Sequence, residues 1–532
     1  LTSNSSTGDG RIAPENKVIS LRGHQVAEEA LESLVRADRQ TPGYPALLAK
    51  ALAMGQPLLA AVTRRLDASR PHELRRLGDL VARFPSRITA VQALVRAASD
   101  RRSADRRRMG AIMLLCSQYL SAPPSDDLLF SLRDPSEALA NTLMGLLEAC
   151  ADDPHVLAEF EGYFHVLLTQ PPDILYGAVG KLTRMRERAL GALRLLALHP
   201  HPDIADAAIE ALASDPSLEG VRTLTMLEPN LSSEAARVVA RHLQKLRLSG
   251  SAIAALSVPG AGCRALASAI DGWGNRLLWF RVAQPGSTPL LLGLLLRDNT
   301  GLVEATAATG SLLARFPGPA QVGAQHAPFV YRPLDPEPNY ATATCIEIPF
   351  TYGLRILRDE VRKNGATSTP LPLEYQLLFH HIWRFGGELD ASPGNILPPD
   401  EASGESDVEH ESELLSNQLF EGWYISSDGT QGVAERVAEL DKEMPHELSH
   451  DNWRVLLPAL IRLAHDEFGS ELRAEYSQRL NLMAEWLWIA GHHREASLAA
   501  SASRTMLQSP PEANLFVLRL IQRGVLVALS RM

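Results

Sequence analysis

The stretch Arg186–Pro216, RERALGALRLLALHPHPDIADAAIEALASDP, narrows the folds open to this chain more than any other. Ile204, Ala207, Ala208, Ala211 and Leu212 recur at i, i+3, i+4, i+7 and i+8, so they share one face of a helix. His201-Pro202-Asp203 supplies a turn and a first-turn acid, and Asp215-Pro216 stops the helix. The same grammar returns in SRPHELRRLGDLVARFP, DPSEALANTLMGLLEACADDP and LSSEAARVVARHLQKLRLSG. Small residues dominate the apolar face, so neighbouring helices can approach closely. One such hairpin cannot bury its face alone, whereas a stack of them can.

This succession, over residues 24–250, resembles the HEAT-like (armadillo-type) repeat proteins. The resemblance implies an α-solenoid that presents a long surface to a binding partner. Repeat length is irregular, which leaves armadillo-like and other helical arrays open.

Between residues 251 and 349 the grammar changes. Short apolar runs alternate with Asp-Gly, Gly-Asn, Pro-Gly and Asn-Thr-Gly, which are hairpin signals. The runs Arg264–Ile270, Leu277–Val282, Leu290–Leu296 and Gly301–Ala307 predict a four-stranded antiparallel meander, with the unbroken Leu290–Leu296 run inside it rather than at an edge. A sheet this small must cover a face with neighbouring helices. Asp271-Gly272-Trp273-Gly274-Asn275 precedes a strand, not a helix, and so reads as a hairpin turn rather than a phosphate loop.

Helices resume over 350–385. Residues 386–413 are Pro/Gly/Ser-rich, carry seven acids after Pro399 and predict a flexible acidic linker. Residues 414–532 predict a helical C-terminal region. Within it Gly491 closes one helix, and Ala496, Ala500 and Ser503 give the next a small face, a pair that resembles a single tetratricopeptide-type hairpin. The fold class expected is mainly α: an irregular HEAT-like solenoid with a small antiparallel β-rich insert, after a disordered tail over residues 1–23.

Four widely spaced cysteines, Cys116, Cys150, Cys263 and Cys345, suit buried free thiols in a reducing compartment. No apolar run is long enough to cross a membrane, and the polar N-terminus has no secretory pattern. The expectation is a cytoplasmic protein with no membrane association.

Candidate chemistry is sparse. Pro445-His446-Glu447-Leu448-Ser449-His450 spells the H-E-x-x-H of zinc hydrolases, in which two histidines on one helical face hold the metal and the glutamate activates water. Pro445 pushes Met444 out of helical geometry, so the pair would fall on a first turn. Asp451 and Asn452 stand where such families place uncharged or apolar residues, and a linker between helices is the better reading. His380-His381 and His492-His493 are adjacent pairs whose side chains diverge by about 100° around a helix; His380 with Trp383 reads as a packed face. No phosphate loop, dinucleotide fingerprint or nucleophile elbow is present. No catalytic residue, metal ligand or cofactor is therefore expected.

The net charge of −10 argues against general nucleic-acid binding, but Arg64 to Arg108 holds thirteen arginines against five acids. With forty-six arginines and six lysines in the chain, arginine is also its general-purpose cation. The segment is either an ordinary solvated helical surface or a polyanion-binding stripe, for which Arg101, Arg102, Arg106, Arg107 and Arg108 are the contact residues. The function expected is a non-enzymatic scaffold for protein partners. Nucleic-acid binding through the stripe is the alternative, and a zinc hydrolase at His446 and His450 the remote one.

Overall fold

The computed structural model describes residues 21–37, 42–67, 71–117, 126–152, 157–249, 259–260, 262–283, 289–308, 316–330, 342–386, 408–443 and 453–531. The described residues are mainly helical, with one antiparallel sheet of six strands among them. It divides into two compact units, one formed by residues 1–152 and 159–184, the other by 153–158 and 185–532.

The first unit is helical throughout its described residues. Its helices are α1 (Leu21–Arg36), α2 (Tyr44–Leu52), α3 (Gln56–Arg65), α4 (Pro71–Ala82), α5 (Arg87–Ser99), α6 (Asp105–Leu115), α7 (Asp126–Phe130), α8 (Pro135–Asp152), α9 (Leu157–Leu168) and α10 (Pro172–Met185). Its core is aliphatic: Leu58, Val62, Leu77, Val81, Ala90, Leu94, Ile112 and Leu139 are all within a few per cent of full burial. Ser86 accepts from the Thr89 amide (3.3 Å) and caps α5, a contact worth about 1 kcal/mol.

The second unit opens with four more helices: α11 (Leu190–Leu196), α12 (Pro202–Ala213), α13 (Leu218–Leu227) and α14 (Ser233–Leu248). α12 starts and stops where its proline and aspartate signals require. It buries Ile204, Ala208, Ala211 and Leu212, while Ala207 lies at the margin of that face. Ser217 and Ser232 cap the next two helices by accepting from the Gly220 and Ala235 amides.

The sheet follows, with β1 (Arg264–Ser268), β2 (Asn275–Val282), β3 (Leu290–Arg297), β4 (Gly301–Ala308), β5 (Gln325–Val330) and β6 (Thr342–Ile348). Its order is β4-β3-β2-β1-β6-β5. The four-stranded meander is present and β3 is interior, as the unbroken leucine run requires. Two strands extend it beyond the expectation. β6 pairs with β1 on the far side from β2, and β5 forms the edge. The hairpin between β1 and β2 is fixed by the Asp271 carboxylate, which accepts from the Trp273 and Asn275 amides (2.9 and 2.7 Å), while Gly274 takes φ +80°. Opposite Trp279, a Cβ on Gly293 would stand 2.5 Å from the indole, so only glycine lets that ring lie flat on β3.

Helices cover one face, as a sheet of this size demands. α15 (Phe350–Thr367) and α16 (Leu373–Trp383) pack against it, with the Phe350 ring edge-on to Phe280 at 5.2 Å. Asn364 acts as a short extra strand on β4. It accepts from the Leu302 amide (2.7 Å) and donates to the Leu302 carbonyl (2.9 Å). The opposite face carries Leu266, Leu277, Trp279, Leu291 and Cys345, all buried, with Phe316 packed against them.

The C-terminal helices are α17 (Val408–Glu411), α18 (Asp428–Glu443), α19 (Trp453–Glu467), α20 (Ser470–Ile489), α21 (His493–Gln508) and α22 (Leu515–Ser530). α20 and α21 form a hairpin closed at Gly491 (φ +83°). The small face of α21 is Ala496, Ala499, Ala502 and Ser503; Ala500 sits at its margin rather than in it. α20 docks on the sheet, since the Trp486 indole N–H donates to the Ala267 carbonyl (3.0 Å). Of the acidic segment 386–413, residues 387–407 lie outside the described residues. Its last part is ordered as α17, where buried Glu411 accepts from the Ser501 and Thr505 hydroxyls (2.7 Å each).

Candidate functional site

The arginine-rich segment is carried by α3 to α6, and its geometry sorts the arginines. α5 turns Ala90, Leu94, Ala97 and Ala98 into the core. Its other face, Ile88, Gln92, Val95 and Ser99, is solvent-exposed, with Ile88 at 72% and Val95 at 39%. Two apolar residues one heptad apart therefore form a short ridge on the outside of the helix. Arg96 flanks the ridge, its Nε donating to the Gln92 carbonyl (3.2 Å).

At the end of α5 the chain turns through Asp100. The carboxylate accepts from the Arg102 amide (3.1 Å) and the Ser103 hydroxyl (2.8 Å). The Ser103 hydroxyl first, then the Arg102 amide, hold its pKa below the ordinary aspartate value, and the nearby Arg107 and Arg102 charges add to this. Arg101 and Arg102 are exposed on this turn, and Arg106 is exposed on the first turn of α6. The result is an apolar ridge that ends in a basic corner.

Arg108 does not belong to that corner, which corrects the sequence reading. It is fully buried, donating through Nε to the Ala98 carbonyl (2.8 Å), through Nη1 to the Ser131 carbonyl (2.8 Å), and through Nη2 to the Ser131 hydroxyl. Asp105 completes the bracket. It lies 3.4 Å from Arg108 and accepts the Arg133 and Asp134 amides (2.8 and 3.0 Å). Arg108 thus ties three chain segments together and is out of reach of any polyanion. Arg107 is half-buried. Further back the stripe is thinned by pairing: Arg64 with Glu28 (3.1 Å), Arg65 with Glu32 and Glu73 (2.9 and 3.1 Å), and Arg76 on the Val35 and Ala37 carbonyls.

In the second unit, the charged constellations are internal brackets. Arg264 grips Glu347 with two parallel bonds (2.8 and 2.6 Å) and donates to the Pro317 and Gly318 carbonyls (2.6 and 2.9 Å). His326 joins the same carboxylate at 3.2 Å. Arg264 and Glu347 are buried and His326 nearly so, which suits a strut inside the sheet. His326 stands opposite Cys345 in the β5–β6 register, a pairing the spacing of the cysteines did not reveal. The thiol is nevertheless no nucleophile: burial pushes its pKa up to about 12, and its hydrogen-bond acceptor is the Ala343 carbonyl.

His446, Glu447 and His450 lie outside the described residues. Among those described, no three His, Cys, Asp or Glu side chains converge as metal ligands. Also among them, no single helix is long and apolar enough to cross a membrane.

The sequence reading found the arginines but missed Ile88 and Val95. The available signal was that α5, RITAVQALVRAAS, has apolar residues on more of its circumference than one buried face needs. Comparison of the chain with protein-family models, curated proteins and solved structures finds no match.

Proposed function

We propose that this protein is a non-enzymatic interaction scaffold of HEAT-like character, working in the cytoplasm, whose first unit receives a protein partner on the outer face of α5. The observation that carries the reading is the exposed Ile88–Val95 ridge running into the corner of Arg101, Arg102 and Arg106. An apolar ridge rimmed by exposed charge is the surface pattern of protein recognition. The arginines select for sign, so the fitting partner is an acidic segment with one or two large apolar side chains. Arginine is suited to the task, because its fork grips carboxylates bidentately.

Nucleic acid is the competing occupant, and the geometry favours it less. A polyanion site needs many unneutralised cations along a backbone track. Here Arg108 is internal and Arg64, Arg65 and Arg76 are committed to acids or carbonyls.

The test is capture from native cells with the intact chain and with the Ile88→Glu/Val95→Glu variant. The scaffold reading expects a discrete protein partner, retained after nuclease treatment and lost in the variant. Retention of the same partner by the variant would remove α5 from the interface. A nucleic acid that binds at physiological salt and is lost on neutralising Arg101, Arg102 and Arg106 would put the alternative in its place.

A further inference from the structure

His380 and His381 end α16, and Arg384 follows as its C-terminal cap residue. Their rings do not diverge as adjacent helical residues were expected to; the centroids are 3.9 Å apart, with the planes 38° from parallel. Arg194 of α11 reaches the same place and lies over the Phe379 ring, its Cζ 5.4 Å from the centroid. Four cationic or cation-capable groups from two helices are therefore gathered together.

Among the described residues they lack a counterpart. Arg194 is 9% exposed, and its Nε is shut off from solvent with no hydrogen-bond partner. Among the described residues, Nε of Arg384 is in the same condition. Arg384 spends one nitrogen on the Ala283 carbonyl (2.9 Å) and rests on Phe385. Two titratable groups lie near the cluster, and only the carboxylate carries opposite charge. Glu219 of α13 acts on Arg194, but it is already bonded to Arg222 at 2.7 Å. Cys263 acts on Arg384. The negative end of α16 offsets some of the charge, but only within its last turn.

A buried guanidinium nitrogen without a hydrogen bond is costly, and an orphaned buried polar group signals a water or ion that belongs there. A metal ion is the wrong sign beside two guanidinium groups. A carboxylate would satisfy one arginine fork and leave the rest unmet. A phosphate group offers three or more acceptor oxygens in a tetrahedral array, which suits donors arriving from two helices. Access exists, because His380, His381 and Arg384 each keep a partly exposed edge.

We propose that Arg194, Arg384, His380 and His381 form a binding site for a phosphate group. The two arginines hold its charge, and the imidazoles take up protons as it binds.

Without an anion, burial first and then the charges of Arg194 and Arg384 hold the His381 pKa down at about 4. Burial, followed by Arg194, His381 and Arg384, holds His380 well below the usual value, against a small opposing pull from the Leu377 carbonyl. A bound dianion reverses these charge effects, so the two imidazoles take up protons as it binds, one of them supplied by the ligand itself where free phosphate is the monoanion.

The test titrates the full chain calorimetrically with inorganic phosphate and with methyl phosphate, in buffers of different ionisation heat, and records imidazole 15N spectra at pH 6. The expected result is one site per chain, proton uptake on binding, and a histidine resonance pair moving to the protonated position. Tighter binding of the ester identifies a phosphate carried on a larger ligand; equal or weaker binding identifies free phosphate. Arg194→Met should weaken binding at least tenfold. It should leave the melting temperature in phosphate-free buffer unchanged or higher, because an unpaired buried charge has been removed. Arg194→Lys, which keeps charge and loses the fork, should fold and bind weakly. The proposal is overturned if millimolar phosphate neither binds nor shifts the histidines. It is equally overturned if Arg194→Met lowers stability strongly in phosphate-free buffer, since the arginine would then have a partner within the protein.

Discussion

Arg479 of α20 is paired with Asp298 at the end of β3, 181 residues earlier in the chain, with both side chains buried. The same guanidinium donates to the Gly272 carbonyl (2.8 Å) in the β1–β2 hairpin and reaches Glu475 at 3.2 Å. One arginine thus fastens the C-terminal helices to two turns at one end of the sheet.

Removing the carboxylate leaves that guanidinium buried and poorly paired. Asp298→Ala should therefore cost about 3–5 kcal/mol, the range for breaking a buried ion pair, with Glu475 holding the loss toward the lower end. Denaturant unfolding followed through the second unit checks this. A loss below about 1 kcal/mol would mean the docking does not depend on the pair.

Arg108 and its exposed neighbours should separate cleanly. Arg108→Ala strands the Ala98 and Ser131 carbonyls and should cost about 2–4 kcal/mol. Arg101→Ala and Arg102→Ala, both on the surface, should each stay within about 0.5 kcal/mol. Thermal unfolding of the three variants measures the contrast, and equal effects would contradict the assignment of Arg108 as a bracket.

The adjacent Arg106, Arg107 and Arg108 also show where the sequence stops being informative. Their composition announced a basic stripe, yet which of them turns inward depends on the phase of α6 against Ser131, a contact across 23 residues that no local signal encodes. The sheet divides the same way. Local hairpin signals located β1 to β4 to within a few residues. β6 pairs with β1 across a long connection, and β5 carries Pro328 at a register shift between His326 and Phe329. A proline inside a run argues locally against a strand, and only the edge position makes it tolerable. α12, with its proline start and Asp-Pro stop, was legible throughout because every signal it uses is local. The His380–His381 stack was not, since rotamer choice depends on the burial around it.

Acid should destabilise the second unit through that histidine pair. Both have folded-state pKa values below their unfolded value of about 6.5, pushed down by burial and by Arg194 and Arg384. A depressed folded pKa means the unfolded chain binds more protons. The stability is therefore fully present above about pH 6.5 and is lost as pH falls toward the His381 value of about 4. His381→Gln should flatten the pH 4–6.5 limb of a melting-temperature profile. An unchanged slope would remove the pair as its cause.

Thiol reactivity should follow burial. Cys116 and Cys345, pushed up to about 11 and about 12, stay protonated and shielded at pH 8. Cys150 is also buried, whereas Cys263 is partly exposed. A chromogenic disulfide reagent should consume one thiol quickly in the native chain and four after unfolding. Fast native modification of Cys345, located by peptide mapping, would contradict the packing of the sheet.

On the proposed function, the outer face of α5 meets a protein. A photo-crosslinking amino acid at position 88, in the intact chain in its native cells, reports directly on what touches that face. The expected result is one dominant protein adduct of acidic character, unaffected by nuclease and abolished when Val95→Glu is added. A nucleic-acid adduct, or no adduct above that from a crosslinker placed at exposed Leu218, would contradict it.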